Sequence, residues 1–99
     1  MRVLMTASFP TEPFNELARN GAPGRKISEI LDKISPEAVY FTEIDGLRSA
    51  LVVLDLKDAS DIPAMAEPWF LTFQALVKFR ILMTADDLAR SGLDELGKA

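Results

Sequence analysis

A handful of side chains in this chain have the types and spacing to do chemistry together. Arg80 and Lys78 stand two apart in the run Ala75 to Met83, ALVKFRILM, and Thr6 and Ser8 stand two apart in Arg2 to Phe9, RVLMTASF. Residues two apart on a strand point to the same side, so one run offers paired cations and the other paired hydroxyls. Side by side they would hold a small carboxylate or enolate, to which a planar guanidinium binds through two parallel hydrogen bonds. Tyr40, the only tyrosine, can add a phenol donor. Glu43, if desolvated, is the natural general base. Each residue also has a plain structural reading. The two cations can pair with Asp55 or Glu43, within one chain or across an interface, because buried charges need partners. Tyr40 can pack its ring and turn its hydroxyl to water. Glu43 can form a cross-strand ion pair with Arg48, of about 0.2–1 kcal/mol.

The missing residue types narrow the chemistry further. There is no histidine and no cysteine. The commonest general base near neutral pH is gone, and with it the histidine triads and the usual proximal haem ligand. Thiolate catalysis, thiolate metal sites and disulfides are excluded. A metal could use only carboxylates and carbonyls, and no DxDxDG-type loop is present. Gly21-Ala-Pro-Gly24 reads as a turn and does not match a phosphate loop. The expectation is therefore no metal and no cofactor. A net charge of −4 argues against a general nucleic-acid surface, which would show a basic stripe. Met1-Arg2 followed by a short alternating segment is neither a signal peptide nor a membrane span. A cytoplasmic, bacterial-type protein with no membrane partner is the default.

The elements that must position these residues centre on Ala38 to Leu56, AVYFTEIDGLRSALVVLDL. Two apolar, β-branched runs flank Asp45-Gly46, a strong signal for a hairpin with a two-residue turn. That turn dictates the register: Ile44 opposite Leu47, Glu43 opposite Arg48, Tyr40 opposite Leu51, Val39 opposite Val52. Arg2 to Phe9 and Ala75 to Met83 alternate as strands. Between the first strand and the hairpin, Phe14 to Asn20 reads as a short helix. A second helix follows the turn and carries Ile27, Ile30, Leu31 and Ile34 as one stripe, ending near Ser35 before Pro36. After the hairpin, Ser60 is placed as an N-cap and Pro63 fits the first turn. Ile62, Met65, Ala66, Trp69, Phe70 and Phe73 form an apolar helix face, with Pro68 expected to kink or split the helix. Thr84 and Asp87 frame a capping box for a terminal helix over about 85–91, ended by Gly92.

The order βαββαβ predicts one α+β domain over 1–99, a ferredoxin-like four-stranded antiparallel sheet with helices on one face and a short C-terminal helix. In that topology the first strand lies between the last and the third. Val3, Met5, Ala7, Phe9, Val77, Phe79 and Ile81 are assigned to the helix side because that set is purely apolar. The open side then carries Leu4, Thr6, Ser8, Leu76, Lys78, Arg80 and Leu82 with Tyr40, Thr42, Ser49, Leu51, Val53 and Asp55. So much apolar area in one patch predicts an interface, and two such sheets packed face to face in a homodimer would cover it.

The element pattern over residues 2–83, with the phrases PEAVYFTE (Pro36 to Glu43) and AEPWFLTF (Ala66 to Phe73), resembles the dimeric α+β barrel superfamily, and within it small bacterial members without an assigned role. The superfamily also holds cofactor-independent monooxygenases, muconolactone isomerases and haem-degrading monooxygenases. No catalytic motif of those branches matches here residue by residue, so the resemblance implies fold and assembly. Two functional readings follow. One is a small homodimer that binds an apolar or anionic organic molecule between sheet and helices. It would act as a cofactor-independent isomerase or monooxygenase, with Arg80 polarising the ligand, Lys78, Thr6 and Ser8 binding it, and Tyr40 or Glu43 moving protons. The other is a non-enzymatic module, either ligand-sensing and ACT-like or serving dimerisation alone.

Overall fold

A computed structural model describes residues 1–98. Its strands are β1 (Arg2–Ser8), β2 (Ala38–Ile44), β3 (Leu47–Asp55) and β4 (Leu76–Ile81). They form one antiparallel sheet in the order β2-β3-β1-β4, the ferredoxin-like arrangement expected from the element order. The helices are α1 (Thr11–Arg19) and α2 (Pro23–Ile34) before the hairpin, and α3 (Ile62–Phe73) between β3 and β4. Two short ones, α4 (Ala85–Arg90) and α5 (Leu93–Leu96), follow the sheet.

The hairpin carries the register that the turn dictates. Ile44 faces Leu47, Glu43 faces Arg48, Tyr40 faces Leu51 and Val39 faces Val52. Asp45 and Gly46 both have positive φ, 53° and 81°, as a two-residue turn matching the strand twist requires. Pairing of β1 with β3 and β4 then follows the alternation: Met5 sits between Val52 and Phe79, and Thr6 between Leu51 and Lys78. One face is therefore apolar except for Glu43 and Arg48 at the hairpin end. Val3, Met5, Ala7, Ala50, Val52 and Leu54 are buried there under the helices.

The space between sheet and helices is filled by rings. Phe9 lies 4.9 Å from Phe73, 5.2 Å from Phe14 and 6.0 Å from Trp69, centroid to centroid, within the range where aromatic pairs attract beyond their burial alone. The Trp69 indole N–H has no hydrogen-bond partner among the described residues, so the packing of the ring must outweigh the desolvation of one donor. Ile30 and Ile34 bring α2 onto this core.

Local details depart from the sequence reading at several points. Glu12 is extended, so regular helix starts near the Phe14 position expected. Pro68 does not split α3, which runs unbroken to Phe73. Its missing N–H frees the Ala64 carbonyl, on an exposed residue where water can take its place. The turn before α3 is capped by Asp58, not Ser60: the Asp58 carboxylate accepts from Ser60 N at 2.9 Å, and Asp61 accepts from Asp58 N at 3.2 Å. Thr84 and Asp87 do form their reciprocal box, at 2.9 and 3.0 Å. Past Gly92, which is left-handed at φ 75°, the chain adds the unexpected turn of α5.

These last two helices stand away from the body. Every residue from Leu88 to Lys98 is exposed. The chain measures 58 × 27 × 19 Å with a radius of gyration of 16.4 Å, against about 13 Å for a compact domain of this length.

Candidate functional site

The open face of the sheet is a grid whose rows run across the strands in the order β2, β3, β1, β4. One row is Ala38, Val53, Leu4, Arg80; the next is Tyr40, Leu51, Thr6, Lys78; the third is Thr42, Ser49, Ser8, Leu76. The strand period alone produces this grid once the hairpin register is set. It places Thr6 beside Lys78 and Ser8 beside Leu76, so the hydroxyl and cation pairs proposed from sequence are neighbours.

A concavity of about 120 Å³ is lined by Thr6, Ser8, Lys78 and Arg80, with Leu76 beside them and Ile44, Asp45 and Leu47 arriving from the hairpin tip. The two central hydroxyls differ. Ser49 Oγ donates to the Leu47 carbonyl at 3.0 Å and lies 2.9 Å from Ser8 Oγ. A hydroxyl has one proton, so Ser8 donates to Ser49. Both are buried, and the pair ties β1 to β3. Thr6 has no such partner among the described residues, which leaves its O–H for a ligand. Lys78 and Arg80 are exposed, and among the described residues neither forms an ion pair.

Of the carboxylates that could neutralise these cations within one chain, Asp45 lines the concavity itself without forming an ion pair among the described residues, and Asp55 and Glu43 are occupied elsewhere. Asp55 pairs with Lys57 at 2.8 Å, and the Lys57 ammonium holds its carboxyl below the usual aspartate range. Glu43 accepts from the Gly46 backbone N–H at 2.8 Å, bracing the hairpin turn. The expected Glu43–Arg48 ion pair is absent among the described residues. Arg48 instead reaches α1, donating to Asn15 Oδ1 at 2.9 Å and lying 4.6 Å over the Phe14 ring. A cation over a ring gains from its quadrupole, and that contact is 34 positions away in sequence (48 − 14), beyond the reach of a local pattern.

Tyr40 and Glu43 do not join the concavity within one subunit. Tyr40 shares the row of Lys78 but sits on β2, at the opposite edge; three interstrand spacings make that about 14 Å. The residue is 65% exposed, and its hydroxyl has no partner among the described residues. Glu43 lies on the helix side of β2, in register with Arg48. Sequence reasoning missed Ile44, Asp45 and Leu47 at the site. The place of Ile44 and Leu47 on the open face was legible from the hairpin alternation; that of Asp45, in the turn itself, and the coil of the sheet that brings the tip toward β4 were not.

A larger concavity lies elsewhere, about 720 Å³ between α2 and α3. Its rim sets Lys26 and Lys33 among Glu29, Asp32 and Glu67, and Ile30, Ala64 and Pro68 lie along it. With both signs of charge at its mouth it selects no ion, and it reads as the seam between two helices.

No protein-family model matches the chain, and no curated protein is similar to it. Among solved structures it is similar to a designed one, "De novo designed protein Ferredog-Diesel", at 13% identity and a TM-score of 0.48, over 82% of this chain and 85% of that one. No helix among the described residues is long and apolar enough to cross a membrane.

Proposed function

We propose that this protein is a cytoplasmic, ligand-binding homodimer whose open sheet faces stack on each other, as the resemblance to dimeric α+β barrels implies, and that each face holds a small organic carboxylate. Arg80 and Lys78 supply the charge, and Thr6 supplies a neutral donor. Ser8, held by Ser49, shapes the floor. Leu76, Leu47 and Ile44 take the apolar body of the ligand. The observation that carries this reading is the pair of cations without an ion-pair partner among the described residues, gathered in one concavity with a free hydroxyl and an apolar wall, where two positive charges outnumber the single carboxylate of Asp45 at the hairpin turn. An arginine with no partner is an expensive group to cover with a second sheet; an anion bound at the same place removes that cost.

Binding is favoured over catalysis. Of the two proton-handling candidates, Glu43 is engaged by Gly46 on the other side of its strand, and Tyr40 is an edge-to-edge distance away in its own subunit. The volume between sheet and helices, where the sequence placed a ligand, is occupied by Phe9, Phe14, Trp69 and Phe73.

Light scattering over a dilution series, followed by calorimetric titration with benzoate, tests the proposal. The expected result is a dimer that binds benzoate better than inorganic phosphate, which lacks an apolar body. Arg80→Ala keeps the dimer and weakens benzoate binding roughly tenfold or more, the loss of a charged hydrogen bond. A dimer indifferent to every carboxylate would leave a dimerisation module. A monomer would overturn the stacking itself.

A further inference from the structure

The open face is asymmetric across its strands. Lys78 and Arg80 lie on the β4 edge, Tyr40 on the β2 edge, and Leu4, Leu51 and Val53 between them. A face that packs on a copy of itself does so about a two-fold axis lying between the sheets. In aligned sheet packing that axis runs across the strands or along them. An axis across the strands lays β4 on the partner's β4 and sets four cations against one another, which like-charge repulsion disfavours strongly. An axis along the strands lays β4 on the partner's β2 and keeps each row opposite its own copy. The row Tyr40, Leu51, Thr6, Lys78 then meets itself reversed. In the row of Arg80, Val53 and Leu4 meet in the same way, apolar on apolar, twice.

We infer that Tyr40 of the partner subunit completes the carboxylate site, standing over Lys78 and Thr6 with its phenol as a further donor and its ring as a roof. Stacked sheets lie about 10 Å apart, a gap that a tyrosine from one side and a lysine or arginine from the other fill between them. Tyr40 is suited to this role by what it lacks: 65% of it is exposed, and its hydroxyl has no partner among the described residues of its own chain. The inference rests on the face-to-face, carboxylate-binding dimer proposed above, and it makes each site a joint product of two chains.

Subunit complementation tests it. Tyr40→Phe keeps the ring and removes only the hydroxyl; Arg80→Ala removes the guanidinium. Each variant homodimer is expected to remain dimeric and to bind benzoate about tenfold more weakly than the unsubstituted protein. The two variants, co-expressed with different tags and isolated as a heterodimer, place both defects in one site and leave the other intact. Calorimetry should then find unsubstituted affinity at half the stoichiometry. A heterodimer no better than its parents means that Tyr40 and Arg80 act within one chain, and it overturns the inference. So does a Tyr40→Phe homodimer that binds as well as the original. Failure of the underlying reading shows separately, as an unsubstituted protein that is monomeric or takes up no benzoate.

Discussion

On one side of the sheet Met5, Ala7, Ala50 and Val52 are completely buried and meet a cluster of rings. On the other side their strand neighbours Leu4, Thr6, Leu51 and Val53 are partly buried, with the exposed Lys78 and Arg80 beside them. The same four strands build both faces, and alternation alone separates them. The buried centre of the covered face is apolar and close-packed. The open face mixes leucine, hydroxyl and cation, a composition that contributes little to one chain's stability and acquires a purpose only when something else arrives.

That contrast can be broken from either side. The largest effect is expected on the covered face. Phe9→Ala removes a ring that touches three others and should lower unfolding free energy by about 3–5 kcal/mol, read by urea denaturation. On the open face, Val53→Asp should cost roughly 1 kcal/mol of stability, as a change at a partly buried strand position. Its main result should be loss of the dimer, seen by light scattering, with the far-UV spectrum unchanged. A Val53→Asp protein as dimeric as its parent would show that the open face is not the interface.

The smallest effect belongs to the arm formed by α4 and α5, which stands away from both faces and serves as a control. Hydrogen bonds from the Thr84 backbone and side chain hold the Asp87 carboxyl below its ordinary value of 3.8. A depressed carboxylate stabilises the folded form above that ordinary value, and the contribution is lost as the pH falls through the lowered one. Below pH 3.8, α4 should therefore fray while the sheet persists, visible as faster amide exchange at Asp87 and Leu88. Thr84→Ala should bring the same fraying at neutral pH without altering the sheet.

The sequence reading reached as far as local rules reach. Asp45-Gly46 set the hairpin register because a two-residue turn leaves no freedom to slip, and period-two alternation assigned the faces of β1 and β4 correctly. Thr84 and Asp87 capped their helix because the box spans four consecutive residues. What failed was long-range or competitive. Arg48 chose Asn15 and Phe14 on α1 over the glutamate directly across the ladder. Asp58 outcompeted Ser60 as a cap because its carboxylate accepts more strongly from a backbone N–H. Pro68 did not split α3 because the carbonyl it frees lies on an exposed residue. At the candidate site, Thr6, Ser8, Lys78 and Arg80 were legible because they obey the strand period. The unequal standing of the two hydroxyls was not, since it depends on where Ser49 sends its proton.

The outstretched arm also has a hydrodynamic consequence. A particle 58 Å long and 19 Å thick drags more solvent than a sphere of equal mass, so the monomer diffuses slowly and leaves a gel-filtration column early. Elution position alone would assign it too large a mass and could make a single chain pass for a pair. Scattering intensity, which weighs molecules without regard to their outline, has no such bias.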